Sequence, residues 1–174
     1  MTEHTRYKVV IIGDAGVGKT SIKNSYLGMD YVDNYTMTLG METGLKVFEK
    51  NSLHIFDIGG QSGFSMDEYF QGAHGAIIVF DITSRESFQH VNKWMEVVSI
   101  RVGHMIPAVL VGNKSDLRLI DTNQVSLEEA NRKSAELSGN SIYEIPYFET
   151  SAKTGLNVDH LFEFLKATMW SLFG

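Results

Sequence analysis

One octapeptide near the start of the chain, Gly13-Asp14-Ala15-Gly16-Val17-Gly18-Lys19-Thr20, has the residue types and spacing to do chemistry. It matches G-x-x-x-x-G-K-[ST], the P-loop pattern. Glycines let a backbone curl until successive N–H groups point at one anion, at the positive end of a helix dipole. Lys19 can reach the terminal phosphates of a nucleotide, and the Thr20 hydroxyl can ligate Mg²⁺. The flanks suit the pattern. Tyr7 to Ile12 is a short, β-branched, apolar run that reads as a buried strand, and Ser21 to Leu27 reads as the first turns of a helix. Asp14, Ala15, Gly16, Val17, Gly18, Lys19, Thr20 and Ser21 are therefore expected to wrap a nucleotide phosphate.

Two further clusters follow strand-like runs. Asp57-Ile58-Gly59-Gly60-Gln61 comes after Leu53 to Phe56. An acid at a strand tip beside a P-loop can hold Mg²⁺ through water, Gly60 can offer its N–H to a γ-phosphate, and Gln61 can orient an attacking water. In Asn113-Lys114-Ser115-Asp116, the carboxylate of Asp116 can accept from the N1–H and exocyclic amine of guanine. Adenine lacks that pair of donors, so Asp116 is expected to select the base. Asn113 is expected to tie this loop to the P-loop. Ser151-Ala152-Lys153 is expected to close the base pocket with a backbone N–H and a flat lysine stem.

The elements that must position these loops alternate. Glu42 to Glu49 and Ser52 to Ile58 flank Lys50-Asn51 as a hairpin, and Gly75 to Ile82 is a buried strand. Val91, Trp94, Met95 and Val98 give the apolar stripe of one helix from about Glu86 to Val102. Pro107 opens the strand Ala108 to Gly112, and Ser126 to Glu129 has capping-box spacing for a helix ended by Gly139. Pro146 to Thr150 is the last strand, and Val158, Leu161, Phe162, Leu165 and Met169 stripe a terminal helix. The expected architecture is α/β: a mostly parallel six-stranded sheet covered on both faces, with one antiparallel edge strand. Ligands of such sheets sit beyond the carboxyl ends of the strands, where these motifs fall.

Composition narrows the function. With 174 residues and 43% apolar content, one domain over 1–174 is expected. A net charge of −6 favours neither nucleic acid nor an anionic membrane. The sequence has no cysteine, which removes thiolate chemistry, zinc–thiolate sites and prenyl or palmitoyl attachment within it. No apolar run approaches the roughly 18 residues of a membrane span. A soluble, cytoplasmic monomer is expected. The six histidines show no metal-ligand spacing and read as surface or packed residues. Met37, Leu39, Met41, Phe64, Met66, Tyr69 and Phe70 crowd two loops, and about half of them are expected to tuck beneath those loops.

With GDAGVGKT, Thr38 in Tyr35-Thr36-Met37-Thr38-Leu39-Gly40, DIGGQ, NKSD and SAK in this order, the chain resembles a small GTPase of the Ras superfamily. Asp81 to Phe88 and Tyr69 to Ala73 are similar to its Rab-like branch, while the DxGGQ form is like the Arf branch. The resemblance covers Tyr7 to about Phe173. It implies a P-loop NTPase fold, a three-layer αβα sandwich, binding GTP or GDP with Mg²⁺ on Thr20, Thr38 and Asp57. It places Thr38 on a first switch, Tyr31 against the guanine and Tyr35 over the phosphates, with Gln61, Lys19 and Thr38 serving hydrolysis. It also implies effector, exchange-factor and GTPase-activating partners. Departures stand out: Ile58, Gly59 and Ser62 replace the usual Thr, Ala and acid, Thr43 and Phe56 replace Phe and Trp, and the stretch before Tyr69 is short. Ala15 adds a methyl beside the expected γ-phosphate, which points to slow hydrolysis. Two other readings are open: a GTP-binding scaffold with little turnover, and a P-loop kinase, against which the guanine-type Asp116 loop argues.

Overall fold

Unbroken burial along the central strands, with alternate residues on opposite faces, decides the architecture. Val10, Ile12, Ile78, Phe80 and Leu110 face one side of a sheet, and Val9, Ile11, Ile77, Val79 and Val109 face the other. Both faces are apolar, so both must be covered, which is the condition of a parallel sheet between helical layers. The computed structural model describes residues 5–33, 36–60, 67–118 and 123–174. Its strands are β1 (Thr5–Ile12), β2 (Met41–Val47), β3 (Asn51–Ile58), β4 (Gly75–Asp81), β5 (Ala108–Asn113) and β6 (Tyr147–Glu149). They form one sheet in the order β2-β3-β1-β4-β5-β6. β2 runs antiparallel to β3, and every other pairing is parallel. This is the small G-protein fold expected from the motifs.

The helices are α1 (Lys19–Tyr26), α2 (Asp67–Phe70), α3 (Arg85–Gln89), α4 (Val91–Val102), α5 (Leu127–Gly139) and α6 (Val158–Phe173). Ile22 and Tyr26 of α1 join Leu161, Phe162, Leu165 and Met169 of α6 on one face of the sheet. There Tyr26 stacks on Phe162 with ring centroids 3.8 Å apart. Val91, Trp94 and Val98 of α4, with Ala130 and Leu137 of α5, cover the opposite face. Burial of each large side chain contributes about 1.5–3 kcal/mol, so these two layers hold the loops between them in register.

Some boundaries differ from expectation. The helix read as continuous from Glu86 to Val102 is two helices, broken at His90 (φ −81°, ψ −3°). Periodicity is local, whereas the break accompanies a contact between the His90 ring and Asp14, 76 positions away. The first helix begins at Lys19, two residues early, because the P-loop runs straight into it. Ser126 and Glu129 form the expected capping box, and the helix ends at Gly139 as expected, with Asn140 as its C-cap. Of the apolar loop residues, Phe70 is fully buried, Met41 and Tyr69 pack partly against the core, and Met37 and Leu39 are exposed. Phe64 and Met66 lie outside the described residues.

The base of the sheet carries a titratable group. His74 Nδ1 accepts the Lys8 backbone N–H at 3.1 Å, and the ring meets Tyr7 and Phe173 edge-on. Burial, then the His104 and Lys8 charges, pushes its pKa down. An imidazole whose folded value lies below the unfolded one contributes stability above the unfolded value, about 6.5, and loses it as pH falls toward the folded one. Chemical denaturation at about pH 7 and pH 5 should therefore show a decline that is smaller in His74→Asn, whose side-chain oxygen can still accept from Lys8.

Candidate functional site

β1 sits between β3 and β4, so the loops leaving its end and theirs diverge and open a crevice at the carboxyl edge of the sheet. A cleft of about 610 Å³ occupies that place. Ala15, Gly16, Gly18, Lys19, Thr20 and Ser21 line one end, and Asn113, Lys114, Asp116, Ala152 and Lys153 line the other. Tyr31, Thr38 and Gly60 also reach it. Asp14, Val17, Asp57 and Ser151 stand behind this lining and support it. Tyr35 and Gln61 lie outside the described residues.

At the phosphate end, no side chain caps α1 and no acid occupies its first turn, so its first N–H groups remain available to an anion. Gly18 has φ +99°, and a Cβ there would fall 2.2 Å from Asn113 Nδ2, so only glycine fits. Lys19 is 6% exposed, and its Nζ donates to the carbonyls of Gly13 (2.8 Å) and Asp14 (2.7 Å). Burial lowers its pKa to about 8, against the opposing pull of the Asp57 and Asp14 carboxylates.

Next to it three oxygens converge. Thr20 Oγ1 donates to Asp57 Oδ2 and lies 2.9 Å from Thr38 Oγ1. Asp57 is fully buried, and its Oδ1 has no hydrogen-bond partner among the described residues. Burial raises its pKa, while the Thr20 hydrogen bond and the Lys19 and Lys23 charges lower it. Hydroxyl and carboxylate oxygens with one carboxylate oxygen unpaired are a donor set that fits Mg²⁺. Gly60 presses on the P-loop, where a Cβ would meet Ala15 N at 2.4 Å. Gly59 N–H bonds Gly40 O at 2.8 Å, joining the second motif to the Thr38 loop.

At the base end, Ser151 Oγ donates to Asp116 Oδ1 at 2.6 Å and so orients the expected base-reading carboxylate. Asn113 Nδ2 donates to Val17 O at 3.0 Å, which is the predicted tie to the P-loop. Its Oδ1 accepts from Ala152 N and Thr150 Oγ1, both at 3.1 Å. Of the Ser151-Ala152-Lys153 segment expected to close the base pocket, the Ala152 amide bonds Asn113. Lys114 takes the left-handed conformation (φ 69°), and its Nζ pairs with Asp81 Oδ2 at 2.6 Å. Lys153 Nζ reaches toward Asp33 Oδ1 at 3.4 Å and over the Tyr31 ring. Sequence reasoning missed Ser151 as an orienter of Asp116, and Asp81 and Thr150 as supports, because these are contacts between distant loops. It also missed Asn24, Met29, Asp30 and Glu42, which line the cleft without carrying a motif.

A family model described as Ras family matches residues 8–171. The chain belongs to the Ras family. This Ras-family chain is 35% identical to "GTP-binding protein YPTM2" of Zea mays over 169 residues, 94% of its own length and 79% of the relative's. It is 34% identical to "Ras-related protein RABD2a" of Arabidopsis thaliana over the same share of each. With "GTP-binding protein ypt1" of Schizosaccharomyces pombe it shares 34% identity over 90% of its length and 76% of that protein's. Within the family it is therefore Rab-like, as the runs at 69–73 and 81–88 suggested. Among the described residues no helix is long and apolar enough to cross a membrane.

Proposed function

We propose that this chain is a single small GTPase domain over 1–174 that binds GTP, hydrolyses it to GDP and phosphate, and signals through its switch loops in trafficking or signalling. One observation carries the reading: a single cleft joins an uncapped helix start with a buried lysine at one end to an oriented carboxylate at the other. That spacing suits a nucleoside triphosphate, and Asp116 favours guanine over the adenine that a P-loop kinase would take. Thr20, Thr38 and Asp57, the last through water, would hold Mg²⁺. When bound, that ion neutralises charge on the β- and γ-phosphate oxygens.

The chain's own groups do the rest. P-loop amides and the Lys19 ammonium bind the phosphates and take up negative charge that builds toward the bridging oxygen. Gln61 orients a water whose oxygen attacks the γ-phosphorus in line, while the bond to the β–γ bridging oxygen breaks and that oxygen leaves with GDP. No arginine lies in residues 31–37, so intrinsic turnover is slow and a partner supplies the arginine. Thr38 and Gly60 sense the terminal phosphate, and its loss frees both loops for effectors and exchange factors to discriminate. The protein acts as a cytoplasmic monomer.

Single-turnover phosphate release from GTP-loaded protein with Mg²⁺, beside Gln61→Leu, tests this. The expected result is slow release, at least tenfold slower still in the variant. Release no faster than from GTP in buffer would make the chain a GTP-binding scaffold, with Ala15, Gly59 and Ser62 as its causes.

A further inference from the structure

The break at His90 brings two ring N–H groups onto one carboxylate. Trp94 Nε1 donates to Asp14 Oδ1 at 2.7 Å, and His90 Nδ1 lies 2.7 Å from Asp14 Oδ2. An ionised carboxylate only accepts, so His90 Nδ1 carries the proton. Each oxygen of Asp14 is thereby held by a donor from the start of α4. The arrangement answers an electrostatic problem, because a carboxylate inside a phosphate-binding loop repels the ligand that the loop serves. Here both of its oxygens are committed to α4, and charge-assisted hydrogen bonds of this kind are short and strong.

The main chain of the same residue works on the cleft side. Asp14 O accepts from Lys19 Nζ at 2.7 Å, and a Cβ on Gly60 would fall 2.6 Å from Asp14 C. The Asp14–Ala15 peptide thus touches both the lysine and the glycine assigned to the terminal phosphate. From this geometry we infer that Asp14 is a positioning residue, clamped by His90 and Trp94, that sets the γ-phosphate end of the cleft and turns its own charge away from it. The clamp rests on the guanine-nucleotide reading above. Its effect falls on the γ-phosphate end, since the Asp14–Ala15 peptide meets Lys19 and Gly60 there, whereas Asp116 is oriented by Ser151.

Affinities of the full chain for GDP and for the non-hydrolysable analogue guanylyl imidodiphosphate, both with Mg²⁺, test it without depending on turnover. His90→Leu, at a half-exposed position, removes the donor at similar bulk; His90→Asn keeps an N–H near the place of Nδ1. The expected result is about a tenfold loss for the analogue in His90→Leu with GDP within about twofold, near-parental values in His90→Asn, and no further effect of His90→Leu on the ratio in an Asp14→Ala background. Equal loss for both nucleotides, no loss for either, or failure of His90→Asn to rescue would overturn the clamp and leave the GTP reading standing. A parental chain that binds neither nucleotide would overturn the GTP reading itself.

Discussion

Asp116→Asn should cost GTP about a hundredfold or more in affinity and create binding of xanthosine triphosphate where the parent has none. The carboxylate is committed before the ligand arrives, since Ser151 Oγ holds Oδ1 at 2.6 Å and Oδ2 has no protein partner among the described residues. Guanine offers two N–H donors to such an acceptor. An asparagine in its place turns one acceptor into a donor that faces the guanine amine, a mismatch costing far more than a lost contact. Xanthine carries an oxygen where guanine carries that amine, so the same amide meets an acceptor. Competition binding with the two triphosphates and with ATP checks the exchange. A variant that loses GTP without gaining the xanthine nucleotide would mean that Asp116 shapes the loop and does not read the base.

Lys19→Met should weaken GDP and GTP binding by about a thousandfold, or about 4 kcal/mol, while the protein stays folded. The side chain lies almost wholly out of water, and among the described residues its ammonium donates to two carbonyls of its own loop. Much of the desolvation cost is therefore met on folding, and arriving phosphates find a preplaced cation. Methionine fills a similar volume without charge, and the cost of burying Lys19, visible in a pKa lowered to about 8, disappears. Thermal unfolding without nucleotide should accordingly be unchanged or higher, and titration with fluorescent GDP should show the loss. A fall in both would mark Lys19 as a structural group.

The parts legible in the sequence were those whose cause is local. The phosphate loop is legible because Gly13, Gly18, Lys19 and Thr20 are close along the chain. The sheet is legible because β4 and β5 are uninterrupted apolar runs, which is the pattern of strands buried on both faces. The Ser126–Glu129 capping box is likewise a four-residue pattern. The break at His90 was hidden because the apolar stripe from Val91 to Val98 does not mark where its helix begins, and no local rule names Asp14 as a partner. The Ser151–Asp116 and Lys114–Asp81 contacts were hidden for the same reason, being made only when separate strand ends come together. The Ala152 N–H bond to Asn113 was hidden as well, because a motif tells which residues meet a ligand, and not how their groups bond one another.

Asn113 has a consequence for how a bound nucleotide leaves. One side chain holds Val17 of the phosphate loop through its nitrogen and Ala152 of the base loop through its oxygen. Its amide plane is a rigid link, so a partner that drags the phosphate loop away also withdraws the prop behind the base, and the reverse holds. If the cleft holds a guanine nucleotide as proposed, release is expected to be a single concerted opening rather than two independent ones, and a partner would need purchase on only one end of the cleft.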